Sequence, residues 1–290
     1  MGELKRAISR DASVVSMALD ATDIVREIES IHKTSAVVSA ALGRLTIAAS
    51  MMGYTLKGEN DTVSIRMDGN GPAGMLIAVA DSRGNVKSYV QNPVVEIPLN
   101  SIGKLDVRGV VGAEGTLSVV KDLGLKEPYS GTVPIVSGEI GEDIANYYAS
   151  SEQVPTVCGL GVLVNPDLTI ANAGGFLVQL LPFADDSCID VIEKNISSIP
   201  PVTTMLKDGM TAEQIAMKLL EGLEPEIMDE SEASYKCDCS RDRTRRILGS
   251  LGNEELENMA AENEDVKVYC NFCRKEYVFT PDEVLRLKKI

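Results

Sequence analysis

Apolar residues recur along the chain at two spacings, and the changes of spacing mark out its elements. Ile24, Val25, Ile28 and Ile31 fall three to four residues apart, the step that lines one face of a helix, so a helix is predicted over Asp23 to Ile31. Ser35 to Met52 reads as a second helix that Gly53 can terminate, and its Ala40, Ala41, Ala48 and Ala49 permit close packing. Short alternating or wholly apolar runs follow at 62–67, 75–80, 86–90, 116–120, 156–164 and 176–181. Each is bounded by turn residues and reads as a strand. Asp81 to Asn85 (DSRGN) and Asn165 to Asp167 (NPD) supply hairpin turns, and one helix, Gly141 to Ala149, interrupts the strands. Short loops between strands predict an α+β fold on antiparallel sheet rather than a doubly wound parallel one.

From Asp185 the spacing becomes helical. Asp190 to Ser197 is a short helix broken by Pro200 and Pro201, and Thr211 with Gln214 forms a capping box ahead of a helix ending near Gly222. Helices this short are marginal unless tertiary contacts hold them, so the stretch reads as a metastable helical linker. Glu224 to Ser234 (EPEIMDESEAS) is acidic and reads as a mobile boundary. Val266 to Tyr269 and Glu276 to Phe279 then predict a hairpin, and Thr280, Pro281 and Glu283 cap a closing helix. The expected organisation is an α+β core domain over residues 1–184, a helical linker over 185–233 and a small C-terminal four-cysteine zinc domain over 234–290.

Composition narrows the classes. The chain has 290 residues, 44% hydrophobic and 24% charged, which is globular and excludes disorder or collagen. The longest apolar run, Ala36 to Met52, carries Ser39, Gly43, Arg44, Thr46 and Ser50 and falls short of the ~20 apolar residues of a membrane helix. The first residues, MGELKRAISRDASVV, lack the apolar stretch of a secretory signal, which points to the cytoplasm, where thiols stay reduced. Net charge is −15. Residues 234–290 hold 11 basic and 11 acidic side chains, so the body alone carries the imbalance. An acidic body repels phosphate backbones and argues against nucleic-acid binding by it.

Chemistry concentrates in four of the six cysteines. Cys237 and Cys239 form a CxC, and Cys270 and Cys273 form a CxxC thirty residues on. Two close pairs of thiolates match tetrahedral zinc coordination with Zn–S of ~2.3 Å. A module of this size is marginal without a metal, and zinc contributes apparent free energies of ~10–16 kcal/mol in small metal domains. The spacing leaves two readings open: a purely structural zinc knuckle, or a switch in which the sulfurs hold zinc when reduced and form bridges when oxidised. Arg241, Arg243, Arg245, Arg246, Arg274 and Lys275 either stabilise the thiolates or form a solvated face.

Other matches are weaker. CNFC lacks the following helix of a thioredoxin-type site. Cys158 sits in apolar TVCGLGVLV and reads as a core residue, and Cys188 as a packing residue of the linker's first helix. Gly69, Gly71 and Gly74 satisfy GxGxxG but lie between two strands, with no helix to receive a pyrophosphate. Two SxxK matches, Ser30 to Lys33 and Ser118 to Lys121, lack their companion motifs, and His32, the only histidine, reads as a capping or packing residue. No GxxxxGK[ST] is present, so ATP has no visible site.

CDCS at Cys237 to Ser240 and CNFC at Cys270 to Cys273 resemble the zinc switch of the redox-regulated heat-shock holdases, the 33 kDa chaperonin family. The likeness extends through DLGLKEPYSGTVPIVSGEIGEDIANYY at Asp122 to Tyr148, SEQVPT at Ser151 to Thr156 and GVLVNP at Gly161 to Pro166, and covers nearly the whole chain. The resemblance implies a non-enzymatic, ATP-independent chaperone, inactive when reduced and zinc-bound. It implies disulfides Cys237–Cys239 and Cys270–Cys273 on oxidation, zinc release, linker unfolding and binding of unfolding client proteins, often with homodimerisation. Linker opening would expose Ile215, Leu219, Leu220 and Leu223 as the client-binding surface. A zinc-ribbon adaptor or nucleic-acid binder, in which the metal stays bound and only shapes a surface, and a thiol oxidoreductase are the rival classes.

Overall fold

The computed structural model describes residues 1–182 and 184–288 and divides into two compact units, Met1–Lys236 and Cys237–Ile290. The first unit begins with a hairpin, β1 (Gly2–Ile8) and β2 (Val14–Asp20), followed by α1 (Thr22–His32) and α2 (Ala36–Tyr54). Then come β3 (Thr62–Asp68), β4 (Leu76–Asp81), β5 (Val86–Val90), α3 (Val107–Val111), β6 (Thr116–Asp122) and β7 (Tyr129–Pro134). Next, α4 (Gly141–Tyr147) runs into a π-helical turn, Tyr148–Glu152, and β8 (Thr156–Val164) and β9 (Ile170–Leu180) form a hairpin. The unit closes with α5 (Asp186–Ser198), α6 (Val202–Lys207), α7 (Ala212–Leu219) and β10 (Glu226–Ala233).

The described strands of this unit form two antiparallel five-stranded sheets, ordered β10-β1-β2-β9-β8 and β5-β4-β3-β6-β7. Helix α2 packs against strands of both. Its apolar residues are enclosed on nearly every side, which assigns the one described helix long and apolar enough to cross a membrane to the core. Small residues make that enclosure possible: a Cβ on Gly43 would stand 2.9 Å from Val162 and 3.0 Å from Val25. The fold is thus α+β with antiparallel sheets, as the short loops predict.

The first sheet is covered on both faces, one of them by α5, α6 and α7. Met17 and Leu19 of β2 join α1 and α2 in the main core, whereas Val14 and Ala18 meet a second cluster built by α5, α6 and α7. Alternate side chains of one strand therefore serve different cores. Ser16, on the linker side, donates its hydroxyl to the Ala216 carbonyl of α7 at 2.8 Å. Thr211 caps α7 with Gln214 reciprocating, the predicted capping box.

Two features differ from the sequence reading. The GELKRAI and VVSMALD segments, which the pattern left unassigned, are β1 and β2. Most of the acidic segment 224–234, expected to be mobile, is the edge strand β10, paired with β1 from Gly2–Ala233 to Ile8–Glu226 with a shift of register between Arg6 and Ala7. Three of its acids are matched by β1 and the loop after it: Lys5 with Glu230, Arg6 with Asp229 at 2.6 Å and Arg10 with Glu224. Arg6 also lies 5.7 Å over the Tyr54 ring, and burial together with a hydrogen bond to Asp229 pushes the Tyr54 hydroxyl up to about 12. An acidic run is mobile only while nothing neutralises it, and here the complementary row lies more than 200 residues away in sequence.

The GxGxxG segment is the β3–β4 connection. Gly71 donates its N–H to Val111 O at 2.9 Å, and a Cβ there would stand 2.4 Å from the Val111 carbonyl carbon, so the glycine serves close backbone packing. His32 is 4% exposed, with Nε2 at 3.1 Å from Ser88 O and 3.4 Å from Tyr235 Oη, a packed residue as the sequence suggests.

Candidate metal centre

The second unit is built from α8 (Arg241–Leu248), α9 (Asn253–Ala261), β11 (Val266–Tyr269), β12 (Glu276–Phe279) and α10 (Pro281–Leu285). Its core is Leu248, Leu256, Tyr277, Phe279 and Val284. Tyr277 and Phe279 face inward because they alternate along β12, which pairs with β11 in a four-residue antiparallel ladder. Arg241 ties the N-terminus of α8 to the hairpin: its guanidinium lies 4.5 Å over the Phe279 ring and bonds both Glu283 carboxylate oxygens at 2.9 Å. That pairing, with the Thr280 cap, holds the Glu283 carboxyl below its ordinary range.

Local geometry aims the sulfurs. Ser240 caps α8 by accepting from the Arg243 N–H, so Cys237 and Cys239 lie in the extended segment just before the helix. Arg243 also pairs with Asp238 between the two cysteines. On the hairpin, Cys270 N–H donates to Lys275 O at 3.0 Å and Arg274 N–H to Cys270 O at 2.8 Å, with Arg274 left-handed at φ 59°. This tight turn carries Cys270 and Cys273 toward one point.

All four Sγ atoms lie within 4.8 Å of one another, with Cys237–Cys270 at 3.7 Å and Cys239–Cys273 at 3.4 Å. A tetrahedron with Zn–S of ~2.3 Å has sulfur edges of about 3.8 Å, so the spacing suits one zinc ion. The donor chemistry agrees. Burial raises the Cys237 and Cys273 thiols above their ordinary values. At Cys239 burial acts the same way, but hydrogen bonds from Tyr277 and neighbouring sulfurs outweigh it and lower the thiol. Four half-buried thiolates repel one another unless a cation sits among them.

The remaining sequence candidates lie in the first unit. Ile215, Leu219 and Leu220 are 1% exposed or less in the linker cluster, and Leu223 packs against it half-buried. Cys188 belongs to the same cluster, 4% exposed, with Sγ 3.2 Å from Ser13 Oγ. Cys158 is on β8, partly buried against the main core, and burial raises its thiol well above the ordinary value. The residue that sequence reasoning missed is Tyr277, whose hydroxyl donates to Cys239 Sγ at 3.1 Å. Its inward position in an alternating strand is legible, but the sulfur at the end of its hydroxyl is not.

The first unit is thus a two-sheet α+β body with α5, α6 and α7 covering one sheet face, and the second unit holds the four cysteines. The family profile described as "Hsp33 protein" matches residues 2–280. The 33 kDa chaperonins of Acetivibrio thermocellus and Agathobacter rectalis are 47% and 44% identical to this chain. The first match covers 98% of this chain and 96% of the relative, and the second covers 98% of each. The crystal structure of the Thermotoga maritima 33 kDa chaperonin superposes with a TM-score of 0.89 at 35% identity, over 98% of this chain and 97% of that one. The chain belongs to the Hsp33 family, and that membership supports a chaperone function.

Proposed function

We propose that this protein is a redox-regulated, ATP-independent holdase of the cytoplasm and not an enzyme. Reduced and zinc-bound, it is silent. Oxidation of Cys237, Cys239, Cys270 and Cys273 opens it to bind unfolding client proteins, with homodimerisation of the active form. Neither nucleic acid nor a membrane is needed. The observation that supports this most is the convergence of four thiolates from two turns more than thirty residues apart, in a unit whose core cluster, among the described residues, has five buried side chains.

A bound zinc ion would cross-link those turns and contribute most of the unit's folding energy, about 10–16 kcal/mol in small metal domains. The cysteines do the rest. A thiolate converted to sulfenic acid and then to a disulfide is no longer a ligand, so oxidation at Cys237–Cys239 and Cys270–Cys273 dismantles the cage. Tyr235 and Lys236 fix the chain just before Cys237 onto β5, through Tyr235 Oη to Ser88 O and Lys236 N–H to Val86 O. Unfolding from Cys237 onward therefore pulls at the end of β10 and hence at the linker, residues 185–233.

The linker is suited to respond. Its described helices have 13, 6 and 8 residues, at or below the ~12–15 that stand alone in water, so they depend on docking to the sheet. Undocked, Ile215, Leu219, Leu220 and Leu223 become adaptable apolar surface for an unfolded chain. Titration with peroxide tests the coupling. Metal release, followed with a chelating dye, and deuterium exchange in 185–233 should rise together. Complete metal loss with the linker still protected would refute it.

A further inference from the structure

Tyr277 reaches the sulfur cage from β12. The side chain is 7% exposed, packed with Phe279 and Val284, and its hydroxyl donates to Cys239 Sγ at 3.1 Å. Lys275 Nζ lies 5.5 Å over its ring. Phe279, two residues on and facing the same core, fills that core without a hydroxyl, so packing alone does not require a tyrosine at 277. A buried phenol needs a partner, and the partner here is a sulfur.

We propose that Tyr277 is a positioning residue of the four-cysteine cage, whose hydroxyl holds Cys239 Sγ in place and makes that sulfur slower to oxidise. The inference rests on the zinc reading above. Two physical effects carry it. A hydrogen bond to a thiolate withdraws electron density and lowers its nucleophilicity. A disulfide sulfur is a weak acceptor, so oxidation at Cys239 strands a buried hydroxyl. Cys237 and Cys273 instead accept backbone N–H groups, from Cys239 and Lys275, which no side-chain substitution removes.

With hydrogen peroxide as oxidant the chemistry balances. One thiolate attacks a peroxide oxygen and breaks the O–O bond, leaving a sulfenic acid and hydroxide. A second thiolate attacks that sulfur, forms the S–S bond and displaces a second hydroxide. Two thiolates and one peroxide give one disulfide and two hydroxides, and the cage loses two donors.

Tyr277→Phe in the full-length, reduced, zinc-loaded chain tests the proposal, with Val284→Ala as a variant that loosens the same core without touching sulfur. Zinc affinity by dye competition should fall about tenfold or more in Tyr277→Phe, as for other partners of metal ligands. Peroxide-driven zinc release should quicken several-fold, and Cys239 should move earlier in the order of thiol loss read by alkylation and mass spectrometry. Val284→Ala should leave that order unchanged. If Tyr277→Phe matches the unsubstituted chain, or Val284→Ala reproduces its effects, the hydroxyl has no positioning role and the proposal fails. An unsubstituted chain that binds no zinc overturns the zinc reading itself, a separable result.

Discussion

Leu219→Ala isolates the docking of the linker. Leu219 is fully enclosed, near the end of α7, among Ala7, Val14, Ala18 and the α5 residues Cys188 and Ile192. Asn195 of α5 donates to the Leu219 carbonyl at 3.1 Å and the Glu221 carbonyl at 2.9 Å, so α5 and α7 undock together. Truncating a buried leucine costs about 2–5 kcal/mol through lost transfer energy and the cavity left behind. At 1.36 kcal/mol per tenfold, opening of the linker rises about 30-fold at the low end and about 5,000-fold at the high end. Cys188 reports it directly, because its thiol is 4% exposed beneath the same helices. Alkylation of Cys188 in reduced, zinc-loaded protein should quicken by that factor, while Cys158 on β8 serves as the internal reference. An unchanged Cys188 rate in a variant whose thermal midpoint has dropped would refute the claim that the linker opens as a unit separable from the sheets.

Three further outcomes follow from the same structure. Cys270→Ser should weaken zinc binding, unfold residues 237–290 and loosen the linker helices, while the far-UV circular dichroism of the two-sheet body persists, because the main core and the core of the second unit share no residues; loss of the whole signal would contradict that separation. Arg6→Ala leaves Asp229 half-buried without its 2.6 Å partner and should destabilise β10 by about 1–3 kcal/mol, read as faster deuterium exchange across 226–233. Peptide mapping of peroxide-treated protein should find Cys237 joined to Cys239 and Cys270 to Cys273, whereas predominant Cys239–Cys273 bridges would show that the 3.4 Å cross-pair contact decides the pairing instead.

What the sequence makes legible is local. The helices α1 and α2, the hairpin β11–β12 and the Thr211 and Thr280 capping boxes all follow from periodicity and cap chemistry within a few residues. The four cysteines stand out because metal ligation demands a fixed donor type at short spacing. What stays hidden is set by distant partners. GELKRAI shows no clean alternation because both faces of its sheet are covered, one by α1 and α2 and the other by α7. EPEIMDESEAS reads as a solvated tether until Lys5, Arg6 and Arg10 are brought beside it. Tyr277 is hidden for the same reason: its strand is readable, but its acceptor is on a segment 38 residues earlier.

The central claim is that the redox state of four sulfurs decides whether the chain holds unfolding proteins. Light scattering of a thermally unfolding test protein, in buffer without ATP, tests it directly, with this chain added reduced and zinc-loaded, peroxide-oxidised, or oxidised and then returned to dithiol and zinc. Oxidised chain should suppress aggregation near stoichiometry, reduced chain should leave the scattering curve unchanged, and re-reduction with zinc should restore that silence. Equal suppression by the reduced and oxidised forms would contradict the account, because the cage could then not be the switch.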